Sequence, residues 1–381
     1  VCFQHVADAW QPTLARVLRR APMPMRSATA PLAALILLFL PGQAVPELKI
    51  GSLYTRPFEA VLNASWSDLQ WGVRTTSSLV PGYHLAFPAV VTAASAMDLL
   101  EGARQLVADG AVAIIVTSGT SILTPTAVSC SVAAVPILSL YSTRIELEDK
   151  TQYPFLFRAM PSEAPQQKAI AVLIYELGWR RCVALMNANL WTGAGRGGLP
   201  ALEALGVIHS SMSYTSPTDA ESREKLRAML ARIPDSGYRI IALFSLSADM
   251  PALHAASAAA GLQSARYCWV ITEQGYVGEW RSSSDVLVAV QMGYFTSSPG
   301  VAASGSNGST GAYGRFGMVA YDTVHVLAKA LQAAVESGDS PSNGTLLRDA
   351  LLDVTHSGVS GDYAFSRLTQ DRELPVRLLL T

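Results

Sequence analysis

Short runs that are apolar throughout alternate along this chain with longer stretches whose apolar residues recur every three to four positions. Residues 112–116, Val-Ala-Ile-Ile-Val, are the clearest run. A strand covered on both faces in a parallel sheet reads this way. Comparable runs predict strands at 48–53, 85–91, 135–138, 155–158, 182–186, 207–214, 239–244, 267–272 and 286–294. Between them, Met97, Leu100, Ala103, Leu106 and Val107 share a helical face, and Gly110 ends that helix. Further helices are expected at 66–78, from Ser121 toward Val132, and at 164–177, 198–205, 219–232, 249–260 and 318–335. The Thr/Ser run at 75–78 is a poor helix former and weakens the first of them. Residues 79–83, Leu-Val-Pro-Gly-Tyr, form a turn, and the Gly/Ser-rich stretch 301–311 reads as a loop. Strand and helix in alternation predict an α/β protein built on doubly wound, mostly parallel sheets.

Composition narrows the function. Half of the 381 residues are hydrophobic and the formal net charge is −1. Such a chain can bury sizeable cores and lacks the basic footprint that nucleic acid requires. The first residue is Val1, and Met23-Pro-Met25-Arg26 is a candidate start. An apolar segment at 31–40 follows, then Pro41-Gly42-Gln43-Ala44. A positive start, a short apolar core and small residues before a cut are the pattern of a secretory signal peptide. Residues 1–46 are therefore set apart as an N-terminal extension and signal peptide, and an extracellular or secretory location is expected. Asn63, Asn307 and Asn343 each begin an Asn-x-Ser/Thr glycosylation sequon. Cys130, Cys182 and Cys268 follow the N-terminal segment, an odd number, and Cys182 and Cys268, in apolar strands, are expected as buried thiols rather than a disulfide framework. After the N-terminal segment no apolar run reaches the length of a membrane span.

Ligands of open α/β sheets bind outside the carboxyl ends of the strands. Two such ends carry hydroxyl groups: Ser118-Gly-Thr-Ser121, and Ser139 with Tyr141, Ser142 and Thr143. The first precedes a helix, where backbone N–H groups and the positive helix end favour an anion. The second is followed by a charged turn, a strand ending at Arg158, and Pro161-Ser162-Glu163 at the start of a helix. A carboxylate there attracts an ammonium. An ordinary turn and Ser/Thr helix caps are the alternative reading of both stretches. Gly193-Ala-Gly195-Arg-Gly-Gly198 fits the spacing of a dinucleotide loop, but six residues separate it from the strand and no acid follows at the right distance. The scattered histidines have no metal-ligand spacing, and no catalytic motif stands out. No cofactor and no metal are expected.

The stretch 139–163 resembles the ligand-binding ectodomain of receptors built on the type I periplasmic-binding-protein fold, the metabotropic glutamate type of class C above all. The residues that carry the resemblance are Ser139, Ser142-Thr143, Asp149-Lys150-Thr151, Tyr153, Phe155, Arg158 and Pro161-Ser162-Glu163. Weaker similarity runs from 47 to about 370, through the Pro81-Gly82-Tyr83 turn, Gly178-Trp179, and Gly358 to Gly361 with Phe365 and Asp371-Arg372. The resemblance implies a two-lobed fold, with residues 47–160 and 275–350 in lobe 1 and 161–274 and 351–381 in lobe 2. It implies an amino-acid-like small molecule in the cleft. Thr120, Ser121, Ser142 and Thr143 would hold an α-carboxylate and Glu163 an α-ammonium. Trp191 matches an aromatic that covers the ligand, Glu273 a second acid, and Arg315 a base for a distal acid. A homodimer through lobe 1 and a membrane-linked signalling segment elsewhere in a full receptor are the implied partners. The loop after the first strand lacks the basic and aromatic ligand contacts of glutamate receptors. Two other roles stay open: a soluble solute-binding protein serving a transporter, and a secreted α/β enzyme.

Overall fold

The computed structural model describes residues 45–55, 69–70, 72–87, 90–188, 191–272, 287–292, 312–374 and 376–380, of which 90, 191–196, 247, 287–292, 312–316 and 376–380 are described by their backbone alone. The signal-peptide expectation, Asn63, Asn307, Glu273 and the 301–311 loop lie outside the described residues.

Strand β1 (Glu47–Thr55) is the hub of a six-stranded sheet. The predicted strand at 85–91 is two strands, β2 (His84–Ala86) and β3 (Val90–Ala93), each pairing in parallel with a different part of β1. On its other side β1 pairs with β4 (Ala111–Thr117), then follow β5 (Ile137–Ser139) and β6 (Leu156–Arg158), all parallel. Every residue of β4 is buried, as its unbroken apolar run requires. Helix α1 (Ala96–Ala108) opens on a capping box between Ser95 and Asp98 and ends before Gly110, whose φ of 86° is one that glycine adopts without strain. Helix α2 (Thr120–Val132) follows β4 directly.

After α3 (Ala164–Glu176), a second six-stranded sheet begins. Its order is β14-β11-β10-β9-β7-β8, from β7 (Arg181–Asn187), β8 (Ile208–Tyr214), β9 (Ile240–Phe244), β10 (Cys268–Thr272), β11 (Leu287–Met292) and β14 (Val376–Leu380). All pairs are parallel except β11 with β14. Helices α4 (Trp191–Ala204), α5 (Ala220–Leu230) and α6 (Met250–Ala259) connect its first strands. Cys182 and Cys268 are buried free thiols in this half and Cys130 in the other.

Helix α4 begins seven residues before the predicted 198, so the glycine run lies inside a helix. Each Gly in a helix interior costs up to about 1 kcal/mol against Ala. Packing selects them here: a Cβ on Gly197 would stand 2.4 Å from Gln167 Oε1, and one on Gly198 would stand 2.8 Å from the Phe244 ring. The dinucleotide reading needs these glycines in a strand-to-helix turn, and they are not in one.

Helix α7 (Ala312–Glu336), helix α8 (Gly344–Asp353) and the hairpin β12 (His356–Gly358) with β13 (Gly361–Tyr363) complete the fold. Helix α7 packs its Val324, Leu327 and Leu331 into the core under the first sheet, with Phe157, Tyr363 and Phe365. Asp322, fully buried on α7, accepts from Val359 N at 3.0 Å and Ser360 N at 2.7 Å and so fixes the hairpin. Two segment boundaries differ from expectation. The family pattern places the segment from 275 in lobe 1, yet β11 pairs with β10 in the second sheet. The family pattern places the segment from 351 in lobe 2, yet Tyr363 and Phe365 fill the first core, and among its described residues only β14 joins the second sheet. The physical reason is that the apolar face of the hairpin is covered by α7 and Phe157, whereas β14 completes the edge that β11 leaves open.

Candidate functional site

The carboxyl ends of β4 and β5 are neighbours, with Leu140 N donating to Val116 O. Ser142 ties them together. Its hydroxyl donates to Ser118 O at 2.7 Å while its N–H donates to Ser139 Oγ at 3.2 Å. Ser142 is buried, so its hydroxyl braces the strand ends.

One residue on, Thr143 Oγ1 donates to Glu163 Oε1 at 2.9 Å, and Glu163 N donates back to Thr143 O at 2.9 Å. The sequence-predicted pair therefore meets directly across 20 residues. Glu163 stands at the start of α3, where Ser162 Oγ accepts from Ala164 N at 2.9 Å. Gln167, one turn into α3, donates to Glu163 Oε2 at 3.3 Å. Both carboxylate oxygens thus meet neutral donors, and among the described residues no cation forms an ion pair with Glu163. Burial raises the Glu163 pKa above its ordinary value; the Thr143 hydrogen bond and the charge of Arg144 oppose that rise without cancelling it.

A buried framework holds this pair. Arg158 donates from Nε to Asp371 Oδ1 at 2.5 Å, from Nη2 to Asp371 Oδ2 at 2.6 Å, and from Nη1 to Arg144 O at 2.6 Å. Asp371 Oδ2 also accepts from Ser162 N at 3.4 Å. One buried fork therefore fixes the turn that follows Thr143 and the loop that carries Glu163.

Thr120 and Ser121 open α2, and Gly119 before them supplies no side-chain cap. The first-turn N–H groups of a helix have no intrahelical partner. Ser118 Oγ and, at the end of neighbouring β1, Thr55 Oγ1 are fully buried with no hydrogen-bond partner among the described residues. An uncapped helix start beside buried hydroxyls is a setting for a carboxylate. Trp191 is the first residue of α4 and Arg315 lies in the first turn of α7, with their side chains not described. Asn343 is exposed and caps α8, accepting from Thr345 N and Leu346 N.

Residue patterns missed several groups. Gln167 reads as a solvated helix position, yet it is buried, and its Oε1 has no partner among the described residues. Helix α4 approaches it closely through Gly197, which also faces Ile145. At the carboxyl ends of the second sheet, Asn187 Nδ2 donates to Asp249 Oδ2 at 2.5 Å and to Ser216 Oγ at 2.8 Å, and the Tyr214 hydroxyl donates to the same Asp249 oxygen at 3.0 Å. Burial, reinforced by the Asp249 carboxylate, pushes the Tyr214 hydroxyl pKa well up. The signal for this set is a polar side chain at the last residue of β7 and of β8 and an acid at the start of α6.

The sequence pattern of the receptor family ligand binding region matches residues 73–375. The chain belongs to that family. A member-like relative, the metabotropic glutamate receptor-like protein E of Dictyostelium discoideum, is 25% identical over 256 residues, 63% of this chain. The chain spans 31% of that relative's length. Among solved structures, an ABC transporter substrate-binding protein from Desulfitobacterium hafniense, in complex with Leu, superposes with a TM-score of 0.66 at 18% identity, over 88% of this chain and 97% of that one. The fold is the two-lobed type I periplasmic-binding-protein type, with each lobe built on a doubly wound, mostly parallel sheet. The family's ligand-binding character fits carboxyl strand ends that gather hydroxyls, an amide and a carboxylate with no cation paired to it among the described residues.

Proposed function

We propose that this ligand-binding region closes on a free α-amino acid or a close analogue. The observation that carries this reading is Glu163: a carboxylate drawn into the protein, hydrogen-bonded by Thr143 and Gln167, with no cation paired to it among the described residues. A ligand ammonium supplies the missing charge. The start of α2, with Thr120 and Ser121 beside buried Ser118 and Thr55, supplies donors for the ligand carboxylate. Carboxyl ends of parallel strands that host both groups support one ligand spanning them. The Leu held by the solved structural neighbour agrees with this ligand class.

The lobes close over the ligand and shift an open–closed equilibrium in the direction that the ligand stabilises. Its setting is extracellular, as part of a signalling receptor like the Dictyostelium relative. Asn343 is a glycan acceptor, and lobe 1 is the surface for a second copy. A thermal-shift panel of the common amino acids and small acids and amines tests the ligand class. A compound at 100 times its dissociation constant adds about 2.7 kcal/mol of stability. One or a few amino acids should raise the melting temperature. Shifts with acids lacking an amine, and none with amino acids, would overturn the reading.

A further inference from the structure

The second sheet has a second chemically distinct edge, opposite its carboxyl strand ends. Trp179-Arg180-Arg181 leads into β7, Tyr238-Arg239 into β9 and Arg266-Tyr267 into β10, and these three strands are neighbours. Val183 pairs with Ile241, so two residues earlier Arg181 stands beside Arg239. Cys268 pairs with Ile240, which sets Tyr267 on the other side of Arg239. Adjacent strands are about 4.8 Å apart, so the two arginines are crowded.

Three of these guanidinium groups stack on rings. Arg180 lies 4.2 Å from the centre of Tyr175, Arg181 lies 4.8 Å from Tyr238, and Arg239 lies 5.2 Å from Tyr267. Arg180 spends Nη1 on Tyr175 O at 2.6 Å and Arg239 spends Nη1 on Tyr238 O at 2.8 Å. Stacking and these bonds hold the planar forks in place, while the Nε and Nη2 donors of Arg239 and the fork of Arg181 have no hydrogen-bond partner among the described residues. Among the described residues none of Arg180, Arg181, Arg239 and Arg266 forms an ion pair. Glu176 and Asp235, the exposed acids nearest in the chain, are not paired to them. Like charges side by side on neighbouring strands destabilise a sheet unless a counter-charge arrives.

We propose that this edge is a docking surface for an extended acidic segment of a partner protein, whose carboxylates take the forks of Arg181 and Arg239. Two observations favour a protein segment over a lipid surface. All four cations are arginine, and the fork that distinguishes arginine from lysine matters for a carboxylate and not for a diffuse negative surface. The exposed aliphatic neighbours are Leu177 and Ile208, 49% and 60% exposed. Two such side chains are far short of the apolar face that holds a protein in a bilayer, and they suffice to seat one apolar residue of a segment.

The test is fluorescence anisotropy of the full chain with a labelled ten-residue glutamate peptide carrying one central leucine, against the same peptide with glutamine for glutamate. Saturable binding of the acidic peptide alone, weakened about tenfold or more between low and high salt, is expected. Arg181→Lys with Arg239→Lys keeps the charge and loses the forks, and should weaken binding about tenfold while the melting temperature stays near that of the wild type. Equal binding of the two peptides overturns the proposal, and this comparison needs no variant. So does a folded lysine variant that binds as the wild type does. Co-sedimentation with phosphatidylserine vesicles, without peptide binding, overturns it in favour of a lipid surface.

Discussion

Glu163→Gln separates the charge of this side chain from its shape. Glutamine keeps an oxygen to accept the Thr143 hydroxyl, whose bond to Glu163 is 2.9 Å in the native protein. It removes a carboxylate that burial holds above its ordinary pKa of 4.5. For an acid whose folded pKa is raised, the native state binds more protons than the unfolded chain between the two values. Stability therefore falls as pH rises from 4.5 through the raised value, and the penalty is in full force above it. At neutral pH the ligand-free variant should melt higher than the wild type, and its stability should lose this part of its pH dependence. Ligand binding should move the opposite way. A hydrogen bond to a charged group is worth roughly 1.5–3 kcal/mol, so affinity for an amino acid should fall by about ten- to a hundredfold or more. In the wild type the same affinity should weaken as pH drops below the raised pKa, because the protonated acid no longer attracts an ammonium. Chemical denaturation across pH gives the first result and calorimetric titration the second. A variant that melts lower and binds unchanged would refute the reasoning, because Glu163 would then be a structural cap.

Other perturbations have equally definite signs. Arg158→Met alone strands the Asp371 carboxylate in the interior and should cost about 3–5 kcal/mol by denaturant unfolding, while Arg158→Met with Asp371→Leu should recover much of it. Gly197→Ala places a Cβ 2.4 Å from Gln167 Oε1, so the amide beside Glu163 must shift. Helix propensity repays up to about 1 kcal/mol, so the melting temperature should hold while the affinity of the ligand falls. Lys150 donates to Leu147 O and Leu156 O, and burial lowers its pKa from 10.5 to about 7. The unfolded chain holds that proton more tightly, so the stability of the wild type relative to Lys150→Met should rise with pH between about 7 and 10.5. In protein from a secreting eukaryotic host, peptide mapping after glycosidase treatment should find Asn343 converted to Asp, since its exposed side chain starts a helix.

What the residues reveal depends on how local the physics is. The apolar run of β4 and the glycine that ends α1 are local, and they read correctly. Helix α4, expected from 198, starts at 191: the expectation rests on local propensity, in which glycine disfavours a helix, whereas the Gln167 and Phe244 contacts that select Gly197 and Gly198 there come from distant elements. Helix α8 does not stand out from its residues, although Asn343 is an ordinary cap for it, because the same residue reads first as a sequon. The placement of β11 and β14 in one sheet, and of Tyr363 and Phe365 in the first core, follows from packing that no periodicity carries. The family pattern singles out Thr143 and Glu163, and the structure brings the two into contact. Gln167 and the Asn187–Asp249–Tyr214 set were not, because an amide or a carboxylate past a strand looks like any solvated turn until its burial is known.

The central claim is that one ligand offers both an ammonium and a carboxylate to this cleft. The most direct measurement is isothermal titration of the wild-type chain with the best-shifting amino acid, its deaminated acid and its decarboxylated amine. The account predicts that the amino acid binds and that removing either group weakens binding about tenfold or more. Undiminished binding of the deaminated acid would contradict it, because Glu163 would then have no charge to meet.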